Sequence, residues 1–474
     1  MSYINQKIDP LPGKPFENCK LNREPYARVL TSIVKNFEKG FVLAIDAEWG
    51  TGKTTFVKMW RQYLIDRKFS TLYFNAWEND FENDVLVALI SELEELKSNN
   101  QDKKKFESVV DKAAPFVNKL IPALAKTLAS RYAGDDFVNS VVNGFAEVTG
   151  EELQNEMEAY AKRKKGLTEF RESLSRFVEE VTQDKPLVFF IDELDRCRPN
   201  YAVEVLEKIK HLFSVEGIVF ILSIDKEQLG HAIRGVYGSE KINAEEYLRR
   251  FIDIEYSIPE PTYNEYIEYL YTKYNFKDFF ESKDRNRYNE LNRDHLYFKD
   301  VVKTFFKNEK LNLRQLDKIF LHIRLTIKSV KSNNYVFPHL LFYLVYLRHL
   351  NLPLFNKIRK KTFSPQQLLV ELEDNRINTV EDGEFKFSVS IISDLLCQYI
   401  NSSALYSVED IFKKDKISEF LLETKLDREL YGRLIDSFYN QFNTSRASID
   451  FLIKRINFTE NFVEVMKDDK SINE

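Results

Sequence analysis

The residues best suited to carry out chemistry lie just after the apolar run Phe41–Ile45 and Asp46. Residues Ala47–Thr55 read Ala-Glu-Trp-Gly-Thr-Gly-Lys-Thr-Thr. A strand, a glycine-bearing turn and a helix start would point successive backbone N–H groups and the positive end of a helix dipole into one concavity. Lys53 would reach the outer phosphates of a nucleotide, and the Thr54 hydroxyl would ligate Mg²⁺. The pattern predicts a P-loop that binds a triphosphate through Glu48, Trp49, Gly50, Thr51, Gly52, Lys53, Thr54 and Thr55.

One position departs from the usual P-loop pattern, because Ala47 stands where a glycine is common. Alanine is strained if the turn requires a positive φ at this position. Taken alone, the segment is also compatible with an ordinary turn before a helix. A second motif is needed to decide between the two interpretations.

The second motif is the apolar run Leu187–Ile191, which ends in the adjacent carboxylates Asp192 and Glu193. A buried parallel strand would deliver both carboxylates to the edge of the sheet where α/β proteins bind ligands. Asp192 would hold Mg²⁺ through water, and Glu193 would polarise the attacking water. A strand merely capped by acidic residues is the alternative. The upstream P-loop and the helix predicted over Tyr201–Phe213 favour a Walker B motif.

Further strands are expected over Thr71–Trp77, Gly217–Asp225 and Phe251–Ile258, from their short apolar runs and flanking turn signals. Polar residues appear where the second of these ends. Ser223 or Asp225 would face the γ-phosphate or the attacking water, although a cap for the next helix explains Asp225 equally well.

Length and composition exclude several classes of protein. A chain of 474 residues is too long for one core, and 43% hydrophobic with 30% charged residues indicates a globular protein. The net charge of −5 gives no overall electrostatic footprint for nucleic acid, so such binding is not indicated. The basic runs 162–165 and 357–361 would contact phosphates or an anionic membrane, but solvated surfaces explain them better.

The localisation expected from the sequence is the cytoplasm. The three cysteines, Cys19, Cys197 and Cys397, have neither the number nor the spacing of a disulfide framework or zinc site, and the N-terminus lacks an apolar signal core. The most apolar segment, 113–148, is interrupted by charged residues, among them Lys119, Lys126, Arg131, Asp135 and Asp136, and by two prolines. Integral membrane insertion is therefore not expected, although a helix pair lying on a membrane surface stays open.

The motifs together resemble those of the KAP-family P-loop NTPases, an AAA+-like and STAND-like lineage with an additional strand in its sheet. The resemblance rests on the lead-in Leu21–Ala27, the P-loop segment Glu48–Phe56, the strand end Phe74–Trp77, the extended Walker B segment Phe190–Cys197 and Tyr247–Arg250. Many relatives carry transmembrane helices between the Walker strands. The charged insertion here implies a soluble bacterial member.

The resemblance implies an α/β fold with a mostly parallel five-stranded sheet, a helical insertion, a helical lid and a C-terminal helical domain. The expected boundaries are 1–94 with 184–260 for the P-loop NTPase core, 95–183 for the insertion, 261–335 for the lid and 336–474 for the C-terminal domain.

The same resemblance assigns roles to several arginines. Arg314 would be a sensor in the lid, and Arg249 or Arg250 would be a finger that enters the site of a neighbouring subunit. Arg23 would help position the base. Asn75, Asp195 and Arg196 would support the residues that contact the nucleotide, without contacting it themselves. Structural roles explain these four equally well, and a surface salt bridge is the alternative for Arg314.

The expected function is Mg²⁺-dependent ATP binding and hydrolysis by a homo-oligomeric switch or motor, with Lys53, Glu193 and the arginines as catalytic residues. The resemblance implies a role in bacterial anti-phage defence with a partner effector protein. The alternative is a nucleotide-gated scaffold that recruits a partner with negligible turnover.

Overall fold

The structure is a computed structural model. It describes residues 10–36, 40–82, 84–97, 100–114, 150–182, 184–211, 213–239, 241–259, 263–309, 311–377, 385–414, 418–442 and 448–458. These form two compact units, an N-terminal unit within 10–259 and a C-terminal unit within 263–458. The finer domain boundaries expected from the sequence stay predictions.

The N-terminal unit alternates strands and helices. Its elements are α1 (Glu24–Asn36), β1 (Phe41–Asp46), α2 (Lys53–Ile65), β2 (Thr71–Asn75), α3 (Val85–Leu93), α4 (Asn100–Ala113), α5 (Gly150–Thr182), β3 (Leu187–Asp192), α6 (Pro199–His211), β4 (Ile218–Ile224), α7 (Lys226–Tyr237), α8 (Ala244–Leu248) and β5 (Ile254–Ser257).

The five strands form one sheet in the order β2-β3-β4-β1-β5, and every neighbouring pair is parallel. The expected α/β fold with a five-stranded parallel sheet is thus confirmed. β4 lies between β1, which leads into the P-loop, and β3, which carries the second motif. A strand inserted between the two motif strands is what the resemblance predicts. Because all strands run the same way, the segments that follow β1, β3 and β4 meet at one edge of the sheet.

Burial on both faces explains why the central strands are apolar without alternation. Every residue of β3 and β4 is buried. One face packs on a core that includes Phe56 and Trp60 of α2, and the other on a core that includes residues of α3, α6 and α7. The edge strand β5 is shorter than the sequence predicts, and its Glu255 and Ser257 are exposed.

The described parts of the insertion are the helices α4 and α5, which pack against each other. Phe106 of α4 contacts Phe177 of α5 with ring centroids 5.7 Å apart, and Lys112 pairs with Glu169 at 2.6 Å. Phe170 and Leu174 of α5 join the core of the N-terminal unit. Most of the apolar segment 113–148 lies outside the described residues. Among the helices that are described, none has the length and apolar character needed to cross a membrane.

The C-terminal unit is mainly helical. Its elements are α9 (Tyr263–Lys273), α10 (Lys277–Phe280), α11 (Asp294–Glu309), α12 (Leu313–Ile327), α13 (Pro338–Leu350), α14 (Leu352–Lys360), α15 (Pro365–Ile377), α16 (Phe385–Asn401), β6 (Phe412–Lys414), β7 (Ser418–Phe420), α17 (Arg428–Gln441) and α18 (Ile449–Ile456).

Two features of this unit concern the predicted elements. Asn312 caps α12 in a capping box with Gln315, which fixes where the helix begins and places Arg314 in its first turn. The short antiparallel pair β6 and β7 departs from the prediction, because the sequence shows only helical periodicity in this region.

Candidate nucleotide-binding site

The loop between β1 and α2 has the backbone geometry of a phosphate-binding turn. Gly50 and Gly52 adopt positive φ angles of 86° and 85°, whereas Ala47 does not have a positive φ. The alanine in place of the usual glycine is therefore not strained. The two glycines supply the left-handed positions, and the helix dipole of α2 points its positive end at the loop.

Lys53, the first residue of α2, is buried with 8% of its surface exposed. Its Nζ donates a hydrogen bond to the carbonyl oxygen of Ala47 and lies 3.8 Å from Oδ2 of Asp195. Burial lowers the pKa of Lys53, and the carboxylates of Asp195, Asp225, Asp46 and Asp192 oppose this effect. The loop lysine thus lies among carboxylates, and a cation bound together with an anionic nucleotide would balance their charge.

A hydrogen-bond network ties the P-loop to the ends of the central strands. The indole N–H of Trp49 donates to Oδ2 of Asp195, and the backbone N–H of Trp49 donates to Oδ2 of Asp225 at 3.2 Å. The backbone N–H of Asp225 donates to Asp195 Oδ2 at 3.0 Å. Burial raises the pKa of Asp195, while Lys53 acts in the opposite direction. Asp195 thus connects the loop, the turn after β3 and the end of β4.

Arg23 supports the same loop from the residue before α1. Its guanidinium, 3% exposed, donates to the carbonyl oxygens of Thr51 at 2.8 Å and Gly52 at 3.1 Å. Burial lowers the pKa of this arginine. The described contacts of the Arg23 side chain are with the loop backbone, and a contact with the nucleotide base stays a prediction.

Asp192 ends β3 and is buried, with 1% of its surface exposed. Its Oδ2 accepts a hydrogen bond from the hydroxyl of Tyr73 at 2.8 Å, and its Oδ1 accepts one from the backbone N–H of Glu193 at 3.0 Å. Asp192 and Thr54 both offer oxygen atoms, which Mg²⁺ prefers, so the donor set fits this ion. Thr54 and Thr55 are half-buried in the first turn of α2.

Glu193 begins a short 3-10 turn in a left-handed conformation, with φ of 61°. Its Oε1 accepts from Nη1 of Arg196 at 2.6 Å, and its Oε2 accepts from Nδ2 of Asn75 at 3.3 Å. Asn75 ends β2 and is the register partner of Asp192. Both carboxylate oxygens are thus engaged by donors within the chain.

Ser223 and Asp225 end β4 in different environments. Ser223 is the register partner of both Asp192 and Ile45, and its hydroxyl is buried without a hydrogen-bond partner in the described part of the chain. Asp225 caps α7 by accepting from the backbone N–H of Gln228 at 3.2 Å. The helix-cap interpretation of Asp225 is confirmed, whereas a contact of Ser223 with the γ-phosphate or the attacking water stays a prediction.

The remaining predicted residues lie elsewhere. Glu48 is exposed, and its carbonyl oxygen accepts from the Thr51 hydroxyl at 2.8 Å. Arg249 and Arg250 follow α8 and precede β5, so they lie near the amino edge of the sheet, opposite the P-loop. Arg249 is 62% exposed and pairs with Glu245 at 3.1 Å. Arg314 is exposed in the C-terminal unit.

Tyr73 is a site residue that the sequence motifs do not reveal. A signal is present, because residues two apart on a strand share a face and Asn75 is a candidate at the end of the same strand. The position of Tyr73 opposite Phe190 on β3 cannot be read from either segment alone.

Comparisons with known proteins agree with the motifs. The model of the KAP family P-loop domain matches residues 23–352. An uncharacterised protein of Methanocaldococcus jannaschii, MJ0182, is 37% identical over 86 residues, 18% of this chain and 41% of that protein. The match thus spans less than half of that relative's length.

Among solved structures, the Aeropyrum pernix ORC2 protein, described as ADPNP-ADP complexes, aligns with 93% of this chain and 97% of its own. The sequence identity is 12% and the TM-score is 0.34. The family model, by contrast, covers more than half of the chain and both phosphate-site motifs. The chain therefore belongs to the KAP family of P-loop NTPases.

Proposed function

We propose that this chain is a Mg²⁺-dependent ATPase that acts as an oligomeric switch or motor. The observation that carries the proposal is the meeting of two motifs at one edge of the sheet. Lys53 begins α2 within 3.8 Å of Asp195, and Asp192 and Glu193 leave β3 at the same edge.

In the proposed hydrolysis, one group of residues binds the phosphates and the metal, and Glu193 orients the attacking water. Loop N–H groups, the end of α2 and Lys53 hold the phosphates. Thr54 and Asp192 would hold Mg²⁺, which supplies further positive charge to the phosphates. Glu193 orients water for in-line attack once its carboxylate is released from Asn75 or Arg196.

Turnover also depends on residues that one copy does not bring to its own P-loop. Because β1 and β5 are parallel, Arg249 and Arg250 lie at the sheet edge opposite the loop. We assign them to the site of a neighbouring copy, where an arginine neutralises charge in the transition state. Arg314 keeps, as a prediction, the role of sensor arginine that the resemblance implies.

The test is phosphate release from ATP by the purified chain at several protein concentrations, with Lys53→Ala and Glu193→Gln as paired variants. We expect turnover per subunit to rise with concentration in the parent protein. Lys53→Ala removes phosphate binding, so binding and turnover are both lost. Glu193→Gln keeps ATP binding and lowers turnover by about a hundredfold or more, because water is no longer oriented.

Lys35→Ala is the matched control, because it removes an exposed lysine from the last turn of α1, away from the loop. Equal turnover in the parent and Glu193→Gln proteins would contradict the ATPase proposal. Turnover independent of concentration would contradict the oligomeric part alone.

A second candidate is a nucleotide-gated scaffold that recruits a partner with negligible turnover. The observation that favours it is the engagement of both Glu193 oxygens, at 2.6 Å and 3.3 Å, by groups of the same chain. ATP binding that depends on Lys53, without phosphate release at any concentration, would support this candidate over the first.

The proposed setting is bacterial anti-phage defence in the cytoplasm, together with a partner effector protein. Resemblance to the family supports this role, and the net charge of −5 offers no general attraction for nucleic acid. Protection of cells against phage would have to disappear with Lys53→Ala.

A further inference from the structure

We propose that Tyr73 is a positioning residue for Mg²⁺, acting through the carboxylate of Asp192. The inference rests on the proposed function, because it concerns the same metal. Its starting point is the hydrogen bond of 2.8 Å from the Tyr73 hydroxyl to Asp192 Oδ2.

This hydrogen bond matters because Asp192 has few other restraints. In the part of the chain that the structure describes, the hydrogen-bond donors to its carboxylate are Tyr73 and the backbone N–H of Glu193. The backbone N–H of Glu193 holds Oδ1 of Asp192 at 3.0 Å. The orientation of the carboxylate plane then depends on the hydrogen bond at Oδ2. The Tyr73 hydroxyl determines which lone pairs of this buried carboxylate remain for the water ligands of a metal.

The tyrosine ring is itself well anchored. Tyr73 alternates with Leu72 and Phe74, which enter the core on one face of the sheet, while Tyr73 packs against the core on the other face. Tyr73 pairs in register with Phe190 of β3. Phe190 lies two residues before Asp192 on β3. The backbone of Tyr73 is thus held beside Phe190, and its hydroxyl extends from there to the Asp192 carboxylate.

Two cationic side chains of the P-loop helix α2 lie over the Tyr73 ring. Nζ of Lys58 lies 5.3 Å from the ring centroid, and Cζ of Arg61 lies 5.7 Å from it. Both residues lie on α2, one turn apart and downstream of Lys53 and Thr54. Cation–π contacts at these distances are attractive. Tyr73 thus links the helix that carries Thr54 to the strand end that carries Asp192, the two groups assigned to the metal.

The expected effect follows from the behaviour of residues behind metal ligands. Removing such a partner costs about 10–100-fold in metal affinity, because the ligand loses its orientation while keeping its charge. Tyr73→Phe removes the hydroxyl and keeps the ring in its packing. The affinity for nucleotide without Mg²⁺ should be unchanged, since the hydroxyl that is removed donates to Asp192 and not to Lys53 or the loop.

The experiment measures binding of a fluorescent ATP analogue to the full chain in EDTA and across a MgCl₂ titration. For Tyr73→Phe we expect the Mg²⁺ concentration at half-maximal enhancement of binding to rise about tenfold or more, with affinity in EDTA unchanged. Tyr439→Phe is the control, because its half-buried hydroxyl donates to Asn401 in the C-terminal unit at 3.3 Å. It should leave the titration unchanged.

A double variant separates positioning from a general structural effect. Asp192→Asn should raise the Mg²⁺ requirement, and adding Tyr73→Phe should not raise it further if the tyrosine acts through that carboxylate. Two results would overturn the inference while leaving the proposed function standing: an unshifted Mg²⁺ titration for Tyr73→Phe, or independent effects in the double variant. Absence of nucleotide binding by the parent protein would overturn both.

Discussion

At the scale of residues, the catalytic candidate Glu193 is held at both of its carboxylate oxygens. A left-handed conformation costs a non-glycine residue about 1–2 kcal/mol, and here it turns the carboxylate towards Arg196 and Asn75. The two donors occupy lone pairs of the carboxylate that a water molecule would otherwise use. In the proposed ATPase this arrangement would be a resting one, and the contact with Arg196 would limit turnover.

We predict that Arg196→Gln raises basal phosphate release. A charge-assisted hydrogen bond of about 1.5 kcal/mol corresponds to roughly tenfold in rate if it must break before water is oriented. Nucleotide affinity should stay unchanged, because the Arg196 guanidinium donates to Glu193 and not to the loop in the described structure.

Arg198→Gln provides the control, since Arg198 pairs with Asp80 at 2.9 Å and is 62% exposed. Steady-state phosphate release at saturating ATP measures both variants. A loss of activity in Arg196→Gln would instead show that the arginine assists the reaction.

At the scale of elements, the pattern of the sequence predicts which segments become strands but not their order. The apolar runs in β1, β3 and β4 are long enough to identify buried strands, and the motifs at their ends identify Lys53, Asp192 and Glu193. Periodicity is a local property, so it carries no information on which strand pairs with which. Tyr73 contacts Asp192, and Asn75 contacts Glu193, because β2 pairs with β3. The sequence pattern could not predict these contacts, since it does not predict that pairing.

The prediction at the scale of elements concerns the start of β1. Gly40 has φ of +84°, and a Cβ there would come within 2.3 Å of the carbonyl oxygen of Ile218 on β4. Gly40→Ala should cost more than about 4 kcal/mol of unfolding free energy, because backbone on both sides must move.

Gly13→Ala separates strain from collision, because Gly13 has φ of +76° and a Cβ added there would meet nothing within 4 Å. It should cost about 1–2 kcal/mol, the penalty of the left-handed conformation alone. Urea unfolding of both variants measures the difference. Equal losses would mean that β1 and β4 separate easily at this end.

At the scale of the whole molecule, stability should depend on pH through a buried carboxylate remote from the P-loop. Glu207 of α6 is 5% exposed, and its Oε1 has no hydrogen-bond partner among the described residues. Burial, and then the nearby Glu204, raise its pKa to about 7, against the opposing effect of Lys208. The folded state therefore binds a proton that the unfolded state releases above its ordinary pKa of 4.5.

The stabilising proton is bound in both states at low pH, and the folded protein loses stability as the pH rises from the unfolded pKa through the folded one. Glu207→Gln mimics the protonated form, so at about pH 8 it should stabilise the protein by about 3 kcal/mol, and at about pH 5 by much less. Thermal unfolding at both pH values tests this, with the exposed Glu216→Gln as control. A stabilisation independent of pH would contradict the assignment.

The strand order has a mechanical consequence for the site. β1, β3 and β4 each have a neighbour on both sides, whereas β2 pairs with β3 alone among the described strands. The P-loop therefore follows a central strand of the sheet, which is hydrogen-bonded on both sides. Tyr73 and Asn75, which donate hydrogen bonds to Asp192 and Glu193, belong to the edge strand β2, which is hydrogen-bonded on one side. A displacement of β2 would change the orientation of the two carboxylates without changing the shape of the P-loop, so nucleotide binding and hydrolysis could be adjusted separately.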